Sequence, residues 1–418
     1  MSSGRSPRSG VTRGARRAVL PLTVAASAAA LGAATVSALV TFLARRVVTP
    51  EAGERADDVQ VLGVGAGTIT LRADPETTAP GRYGLWLDGA TGHARLGEVI
   101  DHDQHSGTVT RHLLGVDRGR LREGGARWNQ YFHAGTPSAA LGLAHRDVLI
   151  DSDLGPIPAW LVESAHGTDA PGAADLPGVA EPGQGAGRQV WAILVHGRGA
   201  TREECLRALP VLHRLGLTAL VVSYRNDAEL EPTLGRSRYH LGESEWRDVE
   251  AAIVYALAAG AREVVLVGWS MGGAIILQLL DRSWTADRVT SVVLDAPVID
   301  WRDVLDHHAR LYRVPRRIGR MSQALLAHGH GRRLAQLETA LRLDRMDWVA
   351  RCQELRVPML IIHSPDDDFV PWGPAQQLAE ARADLVRLVS IPGAGHTREW
   401  NVDPDAWDAA VARFLLRD

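Results

Sequence analysis

Residues 268–273 read Gly-Trp-Ser-Met-Gly-Gly, and no other stretch restricts the possible folds of this chain so tightly. The run Val264-Val265-Leu266-Val267 precedes it and Ala274-Ile275-Ile276-Leu277 follows it. A buried strand, a G-x-S-x-G turn and an apolar helix, in that order, hold a serine on a sharp turn with its Oγ above the end of a sheet. Gly268 and Gly272 suit such a turn, where a Cβ at either position would collide with the neighbouring strand or helix. The pattern therefore points to an α/β chain with a nucleophilic serine, Ser270.

A serine nucleophile needs a base, and the base needs an acid to orient it. The run Val357 to Ile362 reads as a second buried strand and leads into His363-Ser364-Pro365-Asp366-Asp367-Asp368-Phe369-Val370-Pro371. A third, Leu385 to Ile391, leads into Pro392-Gly393-Ala394-Gly395-His396. The order is Ser270, then one of three aspartates, then His396, with acid and base each on a loop after a strand. Upstream, Val190 to Val195 ends in His196-Gly197-Arg198-Gly199, a loop of the kind that donates a backbone N–H to an oxyanion. From Val190 onward apolar runs alternate with helical patterns, which predicts parallel strands joined by helical crossovers. Thr201-x-x-Glu204 predicts a capping box for the first of those helices.

On these motifs and their order, residues 144–418 resemble an α/β-hydrolase, closest to the serine aminopeptidase-like and prolyl-oligopeptidase-like branches. The resemblance implies a mostly parallel sheet with flanking helices and, between the strands at Val289 and Val357, a helical lid over about 299–350. It also selects among the aspartates. The family's acid stands three residues ahead of a Val-Pro pair, and counting back from Val370-Pro371 gives Asp367. The implied roles are Ser270 as nucleophile, His396 as general base and Asp367 as its orienting acid. The backbone N–H groups of Met271 and Arg198 would be the oxyanion donors. This chemistry needs neither a metal nor an organic cofactor, and its substrate would be a small-molecule or peptide acyl compound. A peptidase of the serine aminopeptidase type and a non-catalytic binding protein on the same fold are the alternative readings.

The remaining segments divide as a basic tail (1–17), an uncharged run (18–44) and a β-rich accessory module (51–143). Residues 18–44 hold no charge, between Arg16 and Arg17 on one side and Arg45 and Arg46 on the other. A helix from Pro21 to Ala44 would be about 34 Å long, enough for a hydrocarbon core of roughly 30 Å. This predicts a single transmembrane helix. The five arginines of the tail would hold the N-terminus in the cytoplasm and place the catalytic domain outside the cell membrane. In the module, Thr68 to Leu71, Tyr83 to Leu87 and Thr108 to Thr110 read as strands, and Asp88-Gly89 marks a hairpin turn. Residues 165–188, rich in Gly, Ala and Pro, predict a long surface loop.

The 46 basic residues, which are all arginine, stand against 49 acidic ones, a balance that argues against a nucleic-acid binder. Cys205 and Cys352 are too few for a disulfide framework. His102, Asp103 and His105 read as polar turn residues, and His307, His308, His328 and His330 as surface residues. Trp301, Leu305, His308, Leu311 and Tyr312 form one helical face that either packs on the core or lines a substrate mouth.

Overall fold

The computed structural model describes residues 34–50, 55–164, 189–230 and 238–416. Residues 34–48 form helix α1, in which Val40, Ala44 and Val48 are buried at a spacing of four. That stripe packs into the main core, so the carboxyl end of the expected 18–44 helix lies against protein. Residues 18–33 lie outside the described residues. Among the described residues no helix is long and apolar enough to cross a membrane.

Six antiparallel strands then close a barrel: β1 (Val59–Gly65), β2 (Thr68–Arg72), β3 (Tyr83–Leu87), β4 (Gly92–Asp103), β5 (Thr108–Arg118) and β6 (Gly124–Asn129). They neighbour one another in the order β1-β2-β5-β4-β3-β6. Alternate residues such as Ile69, Leu71, Leu85, Leu96 and Val109 fill the interior. Arg111 is buried among them and donates to the carbonyls of Gly97, Thr77, Ala79 and Gly81, while its guanidinium lies over the Tyr83 and Trp128 rings. A buried guanidinium is tolerated when its donors are satisfied in this way. In the β4–β5 turn, Asp103 accepts from its own loop at His105 and Ser106.

After the short helix α2 (Pro137–Leu141) come β7 (Arg146–Ser152), β8 (Gly155–Val162), β9 (Val190–Val195) and β10 (Thr218–Val222). The rest of the sheet is β11 (Glu263–Trp269), β12 (Val289–Asp295), β13 (Met359–His363) and β14 (Val386–Ser390). Together they form one eight-stranded sheet, ordered β14-β13-β12-β11-β9-β10-β8-β7. β7 and β8 are an antiparallel hairpin, and β8 meets β10 antiparallel. All other pairs are parallel. The central strands are buried on both faces because helices cover both, and so they read as continuous apolar runs. The expected loop 165–188 lies outside the described residues.

The covering helices include α3 (Leu209–Arg214), α4 (Trp246–Ala258) and α5 (Met271–Arg282). Between β12 and β13 lie α6 (Trp301–Leu311), α7 (Arg316–Ala327) and α8 (Gly331–Ala335). The chain ends with α9 (Trp372–Ala381), α10 (Glu399–Val402) and α11 (Pro404–Leu415). The capping box expected at Thr201 does not form. Thr201 caps a 3-10 helix, Arg202–Ala208, through the Glu203 N–H, while its own N–H donates to the Tyr131 hydroxyl. The Glu204 carboxylate turns instead to the Gly197 N–H at 2.6 Å and to Gln130. Both cysteines are free.

The barrel fastens onto the loops at the carboxyl end of the sheet. Asn401 exchanges backbone and side-chain hydrogen bonds with Arg82 and donates to the Gln130 carbonyl, and Arg398 pairs with Glu76. At Gly81 a Cβ would stand 2.2 Å from the Asn401 carbonyl oxygen, so this close approach requires glycine.

Candidate active site

Ser270 joins β11 to α5 with φ 50° and ψ −114°, a left-handed conformation that a side chain adopts only under constraint. Three things impose it. A Cβ at Gly272 would stand 2.2 Å from the Val195 carbonyl oxygen, and one at Gly268 would stand 2.6 Å from Ile276 Cδ1, so strand and helix pack as closely as glycine permits. The Ser270 N–H donates to the Asp295 carbonyl at 3.0 Å, and the Ser270 carbonyl accepts from Gly273 and Val298. The turn is thus fixed by backbone hydrogen bonds on both sides of the serine.

The structure brings Ser270, His396 and Asp367 together. His396 Nε2 lies 2.8 Å from Ser270 Oγ, and His396 Nδ1 lies 2.7 Å from Asp367 Oδ2. Asp367 is buried, and four N–H donors fill its carboxylate. Oδ2 receives His396 and, at 3.0 Å, His363 Nε2; Oδ1 receives the backbone N–H groups of Phe369 and Val370 at 2.8 and 2.9 Å. Burial works against its charge, but the His396 charge and the hydrogen bonds from both histidines prevail and hold Asp367 well below the usual carboxylate range.

The neighbouring aspartates point elsewhere. Asp366 accepts from the Gly393 N–H at 2.7 Å, bracing the loop that carries His396, and Asp368 is exposed. His307 and His308, read as surface residues, also bind the acid loop. They are half-buried on α6, with their Nε2 atoms 2.7 Å from the Asp368 carbonyl and 3.0 Å from the Phe369 carbonyl. The Phe369 ring in turn stacks on His396, with centroids 5.0 Å apart.

The Met271 N–H opens α5, where no carbonyl of the helix lies four residues back to receive it. In the loop after β9, the Gly197 N–H is occupied by Glu204, and a Cβ on Gly197 would stand 3.2 Å from Ser270 Cβ. Gly197 therefore packs against the serine, Arg198 follows it in the loop, and the Arg198 side chain reaches away to the Thr49 carbonyl and the Tyr239 ring. His196 sets the loop from below. Its two ring nitrogens face the Gly197 carbonyl and Asp227, both at 2.9 Å, an arrangement that suits a charged ring. Burial opposes that charge, and Asp227 outweighs it, raising the His196 pKa.

Residues 192–413, more than half of the chain, match the model of the alpha/beta hydrolase family. The chain belongs to this family. Residues 60–129, which build the barrel, match a domain of unknown function, DUF8805. An uncharacterized protein of Mycobacterium tuberculosis, Rv2307c, is 33% identical over 75 residues, which are 18% of this chain and 27% of that protein. The chain therefore spans about a quarter of the length of the curated relatives it matches. Among solved structures, the Pyrococcus furiosus esterase Pf2001 aligns over 68% of this chain and 93% of its own at 17% identity, with a TM-score of 0.47. XC6422 from Xanthomonas campestris, described as a serine hydrolase without a lid, aligns over 64% and 94% at 18% identity, with a TM-score of 0.42.

In this alpha/beta hydrolase a second layer of buried groups supports the site, and sequence reasoning missed it. His363, the last residue of β13, is fully buried and shares Asp367 Oδ2 with His396. Below it, Glu399 accepts from the Ser364 N–H at 3.0 Å and interacts with a second buried acid, Asp295, which accepts from Trp407 at 2.7 Å. Burial pushes both acids up, Glu399 furthest. His363, Asp367 and Glu399 offer ligand atoms within 4.8 Å of one another, the spacing of a metal site. The donor set does not fit one, because both Asp367 oxygens already accept two N–H groups each. The one signal available beforehand was a histidine closing an apolar strand four residues ahead of an acid. Trp400, four residues after His396, is buried against Phe132 and His133 and packs within the core.

Proposed function

We propose that this chain is a membrane-anchored serine hydrolase that cleaves an acyl bond of ester, thioester or amide type through an acyl-enzyme on Ser270. The observation that carries the reading is the unbroken line of hydrogen bonds from Ser270 Oγ through His396 to Asp367. Ser270 attacks the acyl carbonyl as His396 Nε2 takes its proton, and His396 later returns that proton to the leaving group. Asp367, kept ionised by its donors, holds the imidazole with its proton on Nδ1 and stabilises the imidazolium that forms. The Met271 and Arg198 N–H groups receive the oxyanion, and donors in that role are worth about 2.7–4 kcal/mol each. Helices α6 to α8 serve as the lid, tied to the acid loop through His307 and His308.

Fluorophosphonate labelling of the wild type, lost in Ser270→Ala, is the expected result; undiminished labelling of the variant refutes the assignment. A protein that neither labels nor turns over p-nitrophenyl esters is the binding-protein alternative. Turnover of aminoacyl anilides in preference to esters identifies the peptidase. The anchor lies within the uncharged run 18–44, ahead of the buried Val40, with the amino terminus in the cytoplasm and the catalytic domain outside. Protease added to intact cells should then remove the catalytic domain, and its survival until lysis overturns the orientation.

A further inference from the structure

We propose that the outer face of helices α6 to α8, together with the exposed side of α1, docks onto an anionic lipid surface. The inference rests on the anchored reading above and extends it to the catalytic domain. Residues 307–337 contain seven arginines and no acidic residue, in a chain whose formal net charge is −3. Arg310, Arg313, Arg316, Arg317, Arg320 and Arg333 are exposed, and none of their side chains pairs with a carboxylate among the described residues. The contrast lies close by. Arg282 and Arg342 pair with Glu243, while Arg345 and Arg351 pair with Asp281. The unpaired set is therefore a local excess of positive charge with no internal use.

Exposed apolar side chains interleave with it. Leu311, Tyr312, Met321 and Leu334 on this segment are 59%, 73%, 47% and 52% exposed, and Leu39 and Phe42 on α1 are 43% and 62% exposed. The two parts are contiguous, because Ser322 donates to the Val40 carbonyl and Arg45 donates to the Leu334 carbonyl at 2.6 Å. On α7, Ser322 and Leu326 face inward, which leaves Arg317, Arg320, Met321 and Ala324 at i, i+3, i+4 and i+7 facing out. Cationic and apolar groups on one helical face are the pattern of an interfacial surface, where apolar side chains enter the headgroup boundary and arginines meet lipid phosphates. A nucleic acid would satisfy the arginines and leave the six apolar side chains unexplained. The chain direction also favours lipid, because α1 is continuous with the uncharged run that begins at Ala18.

The test is hydrogen exchange on the full chain in nanodiscs of phosphatidylcholine alone or with added phosphatidylglycerol. Peptides covering 307–335 should exchange about tenfold more slowly with the anionic lipid, and high salt should abolish the difference, since exposed charges are screened within about 10 Å at 0.1 M. The variant Arg313→Gln/Arg316→Gln/Arg317→Gln/Arg320→Gln should lose this protection while Ser270 still reacts with fluorophosphonate in detergent. Equal exchange in both lipids, or protection that persists in the variant, overturns the proposal. Stronger protection by a single-stranded oligonucleotide than by anionic lipid overturns it in favour of a nucleic-acid surface. A chain that fails to enter nanodiscs refutes the anchor alone. Flotation of that chain with phosphatidylglycerol vesicles then decides the docking, with salt-sensitive flotation supporting it and no flotation refuting it.

Discussion

Replacing Asp367 by asparagine separates the proposed relay from its neighbours. The carboxylate accepts two N–H donors on each oxygen, so no orientation of an amide suits the site. With the NH₂ at the Oδ2 position it opposes His396 and His363; at the Oδ1 position it opposes the Phe369 and Val370 amides. Either way two hydrogen bonds are lost in a buried site, and a buried group left unpaired costs about 1–3 kcal/mol. The first orientation also favours the wrong tautomer of His396, with its proton on Nε2 facing the serine. A triad acid changed in this manner loses about 10⁴-fold in turnover, which corresponds to about 5.4 kcal/mol of transition-state stabilisation. The assay is p-nitrophenyl ester hydrolysis by purified Asp367→Asn, with Asp366→Asn and Asp368→Asn measured beside it and thermal unfolding as the control for folding. The neighbours should stay within about tenfold of wild type, since losses of that size accompany displaced loops more than a missing acid. If Asp367→Asn keeps a tenth of wild-type turnover while folded, or if Asp366→Asn is the crippling change, the reasoning from this carboxylate is refuted.

Three further outcomes are expected. His363→Phe removes one donor from Asp367 Oδ2 without removing bulk, and it should lower ester turnover about tenfold, with His363→Gln, which still donates, losing less. Steady-state kinetics showing the two variants equally affected would make His363 a packing residue only. Asp300 caps α6 through the Arg302 N–H, and burial raises its pKa to about 6. Its folded pKa lies above the unfolded value, so the protein favours the neutral form and loses stability as pH rises from about 4 through about 6. Asp300→Asn should therefore raise the melting temperature at pH 8 and leave it nearly unchanged at pH 4, and a reversed pattern in a thermal scan would contradict this sign. Gly272→Ala drives a Cβ to 2.2 Å from the Val195 carbonyl and should destabilise the fold by about 1–3 kcal/mol or more in denaturant titration.

Sequence reading went furthest where a single residue type was sterically compulsory. Gly268 and Gly272 mark positions in a strand-to-helix turn with no room for a Cβ, and the apolar runs of the central strands are continuous because these strands are covered on both faces. Both signals are local and need no partner to be seen. The expected capping box was misleading for the opposite reason. Thr201 and Glu204 have the required spacing, yet Glu204 is drawn to the Gly197 N–H and to Gln130, and the latter comes from a part of the chain that periodicity cannot bring near. The same limit hid His363, Glu399 and Asp295, whose contacts join the ends of separate strands and helices. The helical face from Trp301 to Tyr312 divides: Trp301 is buried and donates to the Leu241 carbonyl, whereas Leu311 and Tyr312 are exposed. A stripe of helical period cannot indicate where along the helix the core ends.

The run Asp366-Asp367-Asp368-Phe369 shows why three adjacent acids need not compete. Successive side chains in an extended loop diverge, and each of these positions meets a different element. Asp366 braces the loop of His396, Asp367 receives the imidazole, and the carbonyls of Asp368 and Phe369 receive His307 and His308 from α6. Moving α6 away from the site therefore breaks two hydrogen bonds or carries the acid loop along with it. Hydrogen bonds of this kind contribute about 0.5–1.5 kcal/mol each, so releasing α6 alone costs about 1–3 kcal/mol. The four donors on Asp367 resist the alternative more strongly, because displacing that carboxylate would leave a buried charge unpaired. If α6 is the proposed lid, opening over the serine should proceed through the α6 histidines, with the relay left in place.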